Sequence, residues 1–210
     1  MGDYKVFVIT EHARLILSQG DLTKWDGDVI VNAANQRMLG GGGVDGAIHR
    51  AAGPELLEAC KAVAQIRPGV RCPTGEARIT PGFNLKAQFV IHTVGPNYDT
   101  ATESAPLLAS AYRSSLQLAD EYGLKTIAFP AISTGVYGYP IGEAADVSLR
   151  AVASSIATLE EVHFVLFGMP TFNAYVGAAT KQFGEPLGDD EEDEGEVAEE
   201  GKEPPPQAEL

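Results

Sequence analysis

A chain of 210 residues, 44% of them hydrophobic, suffices for one α/β domain with a full core and falls short of two comfortable ones. Two cysteines, Cys60 and Cys72, make no disulfide framework, and four histidines without CxxC or HxxxH spacing point away from structural zinc. The net charge of −14 belongs mainly to residues 188–210, which hold 11 acids and one lysine; the remainder carries only about −4 and no basic patch that predicts nucleic-acid binding.

No charged-then-apolar leader opens the chain and no apolar run approaches about 18 residues, so neither secretion nor membrane insertion is indicated. The expectation is a reduced, intracellular protein, cytoplasmic or nuclear. Residues 6–9 and 13–17 read as two short strands around Thr10-Glu11-His12, an edge hairpin, and Gly20-Asp21-Leu22-Thr23 follows as a turn. The apolar run over 28–32 predicts a strand buried on both faces. It feeds Asn35 and then four consecutive glycines, 40–43. From Val44 the positions Ala47, Ile48, Ala51 and Ala52 have helical spacing, stopped at Gly53-Pro54, and a second helix covers 55–63.

Strands are expected at 76–80 and 88–94, the latter ended by Gly95-Pro96, and a helix over 105–122 stops at Gly123. A strand over 126–132, a second glycine-containing loop over 133–140 and a helix over 141–159 repeat the βα pattern, and a strand at 162–167 and a helix at 171–183 complete it. This alternation predicts a three-layer α/β/α sandwich around a mixed, mainly parallel sheet, because parallel strands need helical crossovers. Ligands in such sheets sit beyond the carboxyl ends of the strands, so both glycine loops are expected to share one cleft. Residues 186–210, with no apolar period and repelling carboxylates, read as a disordered acidic tail behind a domain of residues 1–185. Such a tail either solubilises or docks on basic partners.

Glycines give close access to backbone N–H groups, and the following helix adds unpaired N–H groups and the positive end of its dipole, so an anion is the natural ligand. There is no GxxxxGK[S/T] lysine for a nucleoside triphosphate and no GxGxxG spacing for a dinucleotide cofactor. Loops with no basic residue beyond Arg37 and Arg50 suit a diphosphate diester, held by backbone amides and by the hydroxyls of Ser133 and Thr134.

Six stretches in order, Gly20-Asp21-Leu22-Thr23, residues 29–35, 40–53, Thr74-Gly75-Glu76-Ala77, residues 90–96 and 131–140, resemble the macrodomain family, specifically its MacroD-type branch, across roughly residues 4–180. The resemblance implies an ADP-ribose-binding fold with members that remove mono-ADP-ribose from acidic side chains and deacetylate O-acetyl-ADP-ribose; a monomer without cofactor or metal is the default expectation. It implies partners to match: ADP-ribose, O-acetyl-ADP-ribose and mono-ADP-ribosylated proteins, with no membrane and no nucleic acid.

By position, Asp21, with Leu22 beside it, resembles the acceptor of the adenine amino group. Gly41, Gly42, Gly43 and Val44, with Ser133, Thr134, Gly135, Val136 and Tyr137, resemble the two loops that clasp the diphosphate. Asn35 and Asp45 resemble the pair around the distal ribose and, with His49, the catalytic set; Tyr137 resembles the ring that covers that ribose. Phe167 fits the adenine-stacking aromatic, though Gly168-Met169-Pro170-Thr171-Phe172 replaces the acidic residue often found next, and Phe172 is an alternative ring.

Other readings stand beside these. Asp21 also suits a turn or helix cap, Asn32 a fastener of loop backbone, His49 an i,i+4 partner of Asp45, and Tyr137 loop packing. With no nucleophile elbow and no metal cluster, hydrolysis by water positioned by Asp45 and Asn35 is the expected chemistry. A non-catalytic ADP-ribose reader and an ADP-ribose 1″-phosphate phosphatase are the alternatives.

Overall fold

The strands form because their apolar residues alternate between two helical layers. In a computed structural model, which describes residues 4–188, seven strands make one mixed sheet: β1 Tyr4–Val8, β2 Arg14–Gln19, β3 Val29–Ala33, β4 Ala77–Pro81, β5 Phe89–Thr93, β6 Thr126–Phe129 and β7 Glu161–Leu166. Their order is β1-β2-β7-β6-β3-β5-β4, parallel from β2 to β5 and antiparallel at both edges. Val29, Val31, Ile91, Ile127, Phe129, Val162 and Phe164 face one core, against α3 Ala101–Glu121, α4 Ile141–Ser155 and α5 Met169–Phe183. Ile30, Val90, Ala128 and Val165 face the other, against α1 Gly43–Ala52, α2 Pro54–Ala62 and a short 3-10 helix, Leu22–Lys24. This is the expected α/β/α sandwich, every element in the expected order.

Several boundaries move, three of them for evident local reasons. Helix α3 starts at Ala101 rather than 105 because the Thr100 hydroxyl oxygen accepts the Glu103 N–H at 3.2 Å and caps it, with Pro106 tolerated inside at the loss of one backbone bond. Strand β6 ends at Phe129, since Pro130 has no N–H to continue the ladder. Helix α4 ends at Ser155 rather than 159, with Ile156 already extended. The Leu187 N–H donates to the Val6 carbonyl at 2.8 Å; the tail from 189 on lies outside the described residues. Among the described residues no helix is long and apolar enough to cross a membrane.

At the amino ends of the strands, Asp28 ties three segments together. Its Oδ2 accepts the N–H groups of Lys125 at 2.8 Å and Thr126 at 2.9 Å, its Oδ1 accepts Gln88 Nε2 at 3.3 Å, and its own N–H donates to Thr126 Oγ1 at 2.9 Å. Asp28→Ala leaves two backbone donors without their carboxylate, so urea unfolding is expected to show a loss of about 1–3 kcal/mol. Because Asp28 lies at the end of the sheet opposite the glycine loops, ligand affinity should stay unchanged in the same protein.

Candidate functional site

Parallel strands deliver their carboxyl ends to one rim. Strand β2 ends before Gly20-Asp21, β3 before Asn35 and the glycine loop, β6 before residues 130–140, and β7 before Phe167. Strands β3 and β6 are neighbours, which sets the two glycine-containing loops side by side above their helices. Tyr112 in α3 fixes the second loop from beneath: its buried hydroxyl accepts the Ile132 N–H at 3.2 Å and donates to the Pro130 carbonyl at 3.4 Å.

The centre of the rim is Asp45, in the first turn of α1 and only 5% exposed. Its Oδ1 accepts Asn32 Nδ2 at 2.8 Å and lies 3.4 Å from His49 Nε2, one helical turn on. A Cβ at position 41 would approach Asp45 Oδ2 to 3.0 Å and Asn35 Nδ2 to 3.5 Å, so Asn35, Gly41 and Asp45 converge. Burial raises the Asp45 carboxyl above its ordinary range; the Asn32 hydrogen bond and the His49 charge pull it partway back. Tyr137, from the other loop, is half-buried and feels the same carboxylate, its hydroxyl raised first by burial and then by Asp45.

Gly46 lets the glycine loop lie on α1. Any Cβ there would stand 2.5 Å from the Gly41 carbonyl oxygen and 3.1 Å from Arg50 Nη1. Asn35 closes the same loop, donating from Nδ2 to the Gly40 carbonyl at 3.2 Å and accepting the Arg37 N–H at 3.1 Å. Among the described residues no hydrogen bond engages the N–H groups of Gly42, Gly43 and Val44, or those of Gly135, Val136 and Tyr137. Two sets of free donors therefore lie in the two neighbouring loops, one of them at the positive end of a ten-residue helix.

The hydroxyls expected to join them do not. Ser133 takes a left-handed φ of 67°, which buries its Oγ against Gly95, and Thr134 Oγ1 donates to the Ala131 carbonyl at 2.9 Å. The second loop therefore offers backbone N–H groups alone. Its tip, Val136, is fully exposed.

At the β2 end of the rim Asp21 caps the 3-10 helix, its Oδ1 accepting Thr23 N at 2.9 Å and Thr23 Oγ1 at 2.8 Å. That hydroxyl bond holds the carboxyl below its usual value, so Asp21 stays an ionised acceptor with Oδ2 unengaged among the described residues. Leu22 buries its side chain in the core beneath α1 and α2 and can offer only its backbone. Phe167 is 92% exposed on the same rim, whereas Phe172 is 4% exposed and packs in the core shared with α3 and α4. Phe172 is thus unavailable as a stacking ring, because α5 begins at Met169 and turns position 172 inward.

The expectation for Asn32 is overturned as well. Asn32 fastens no loop backbone; it lies wholly buried in β3 and binds side chains, Asp45 and His92. Sequence reasoning passed over His92 and Thr80 as strand residues. The signal for His92 was a polar residue inside the apolar run Phe89–Thr93, matched by Asn32 inside Val29–Ala33; Thr80, in the mixed run Ala77–Pro81, gave none.

Comparison with known proteins agrees with this geometry. The Macro domain family model matches residues 31–148. The chain is 51% identical over 178 residues to a Salmonella gallinarum protein named O-acetyl-ADP-ribose deacetylase, covering 83% of this chain and 98% of that one. It superposes on the Oceanobacillus iheyensis macrodomain with ADP at a TM-score of 0.82, with 43% identity over 87% of this chain and 97% of that chain. It is also similar to a Trypanosoma brucei macrodomain solved in complex with ADP-ribose, with a TM-score of 0.71 and 41% identity over 80% and 68% of the two chains. The family model, the similar sequences and the shared fold agree, and the chain belongs to the macrodomain family.

Proposed function

We propose that the rim binds ADP-ribose and that the protein is a hydrolase of its esters, deacetylating O-acetyl-ADP-ribose and releasing mono-ADP-ribose from acidic side chains of modified proteins. The observation that carries this reading is the buried Asp45 carboxylate, tied back through Oδ1 between two rows of free backbone N–H groups. A similar protein named O-acetyl-ADP-ribose deacetylase and a similar structure holding ADP-ribose support it.

In this reading Asp21 accepts the adenine amino group and Phe167 stacks on the base. The N–H groups of 42–44 and 135–137 hold the diphosphate. The distal ribose lies between Asn35 and Asp45 with Tyr137 over it. Asp45 takes a proton from a water molecule whose oxygen bonds to the acyl carbon; the ester bond to the ribose oxygen breaks, and that oxygen leaves protonated. His49, on the other carboxylate oxygen, helps to orient the base.

The test is direct. Incubation with O-acetyl-ADP-ribose and with a mono-ADP-ribosylated acceptor should release free ADP-ribose or acetate, while calorimetry measures ADP-ribose binding. Tight binding without release would make the protein a reader. The adenine wall has its own test: Phe167→Ala should weaken ADP-ribose about tenfold, since stacking of a base on an aromatic ring contributes about 1–3 kcal/mol. The melting temperature should not move, because the ring touches solvent rather than core.

A further inference from the structure

Behind Asp45 lies a chain of buried polar side chains that the reaction above does not use. Asn32, His92 and Thr80 stand on adjacent strands β3, β5 and β4, with Asn32 and His92 in direct register. All three are buried. Asn32 Nδ2 is 2.8 Å from Asp45 Oδ1 and 3.1 Å from His92 Nδ1. An amide nitrogen only donates, so its two protons go one to each, and His92 Nδ1 is the bare nitrogen of the ring. The ring proton then sits on Nε2, which faces Thr80 Oγ1 at 2.9 Å and Cys60 Sγ at 3.7 Å. A doubly protonated ring would leave the second Asn32 proton without an acceptor. Burial, with the nearby His49 charge, lowers His92 to about 3 and keeps it neutral.

Asn32 Oδ1 is buried without a hydrogen-bond partner among the described residues. Turning the amide over would set Oδ1 against the Asp45 carboxylate at 2.8 Å, oxygen against oxygen, so the Asp45 contact fixes the orientation in which Nδ2 faces both partners.

We propose that His92 is a positioning residue: its single tautomer orients the Asn32 amide, which ties back Asp45 Oδ1 and leaves Oδ2 presented to the cleft beside Gly41. The catalytic consequence rests on the hydrolase reading above; the tautomer and its hold on Asp45 do not.

Three proteins test this: wild type, His92→Leu, which removes the acceptor, and His92→Asn, whose Oδ1 can stand near the place of Nδ1. Nitrogen-15 spectra of wild-type His92 should show a protonated Nε2 and a bare Nδ1 from about pH 5 to about pH 8. In His92→Leu the Asp45 carboxyl, followed by carbon-13 NMR, should titrate at higher pH than in wild type. Turnover of O-acetyl-ADP-ribose at saturating substrate should fall about tenfold or more, with KM and ADP-ribose affinity within about twofold. His92→Asn should restore most of both. A wild-type ring protonated at Nδ1 overturns the proposal. So does a His92→Leu protein that binds ADP-ribose normally and keeps the wild-type Asp45 titration. Should His92→Leu lose ADP-ribose binding altogether, the wild-type spectrum decides. If the wild type binds ADP-ribose without turnover, the hydrolase reading fails, and if Asp45→Asn leaves turnover intact, Asp45 is not the base; in both cases the NMR titration still judges the relay.

Discussion

Asp45→Asn is expected to lower turnover of O-acetyl-ADP-ribose about 10²- to 10⁴-fold at saturating substrate, the range by which positioned general bases accelerate proton transfer. ADP-ribose affinity by calorimetry should change less than about threefold. The substitution keeps the shape of the side chain and an oxygen for Asn32 and His49, and it removes only the basicity. Equal losses in kcat and in affinity would instead make Asp45 a ligand anchor. The pH profile offers a second check. Burial raises the Asp45 carboxyl, and the charged form is the base, so wild-type kcat should rise with pH through a value above the ordinary aspartate range and then level off. The residual activity of Asp45→Asn should lack that limb. Stability moves the other way. A carboxyl raised in the folded state contributes stability that is present below its unfolded pKa and lost as pH rises through the folded one. At neutral pH the variant should therefore melt no lower than wild type, since it no longer buries a charge.

Gly46→Ala is expected to weaken ADP-ribose about 100-fold, although residue 46 contributes no functional group. The new methyl would stand 2.5 Å from the Gly41 carbonyl, and backbone cannot step aside as a long side chain can. The glycine loop must lift from α1, and the N–H groups of 42–44 lose their aim. Hydrogen bonds to a charged group contribute about 1.5–3 kcal/mol each, so misaligning one or two reaches that loss. A fall in stability of about 1–3 kcal/mol should accompany it. Gly177→Ala makes the same chemical change inside α5, where a Cβ meets nothing within 4 Å. That protein should bind normally and gain about 0.5–1 kcal/mol from helix propensity. Normal binding by Gly46→Ala would show that the diphosphate is held elsewhere.

Order and type of every strand and α-helix were legible because apolar periods and glycine or proline stops are local signals, and the shared rim followed from parallel topology. What stayed hidden depended on contacts between distant segments. Asn32 read as a turn residue because Asx side chains favour turns, yet strand alternation points it the same way as Ile30, toward His92 sixty positions on. Ser133 and Thr134 read as phosphate hydroxyls by type; the left-handed backbone at 133 and the Ala131 carbonyl take them out of reach. The choice between Phe167 and Phe172 turned on where α5 begins, since a shift of two residues along a helix moves a side chain to another face.

The double row of amides has a consequence for how the protein responds to its surroundings. A peptide N–H carries no ionisable proton near neutrality and cannot be exchanged by substituting a side chain, so the grip on the ligand should hold nearly constant as acidity changes. In the proposed mechanism, catalysis depends on a carboxylate that does titrate. Mild acidification is then expected to convert the protein from one that cleaves what it holds into one that only holds it.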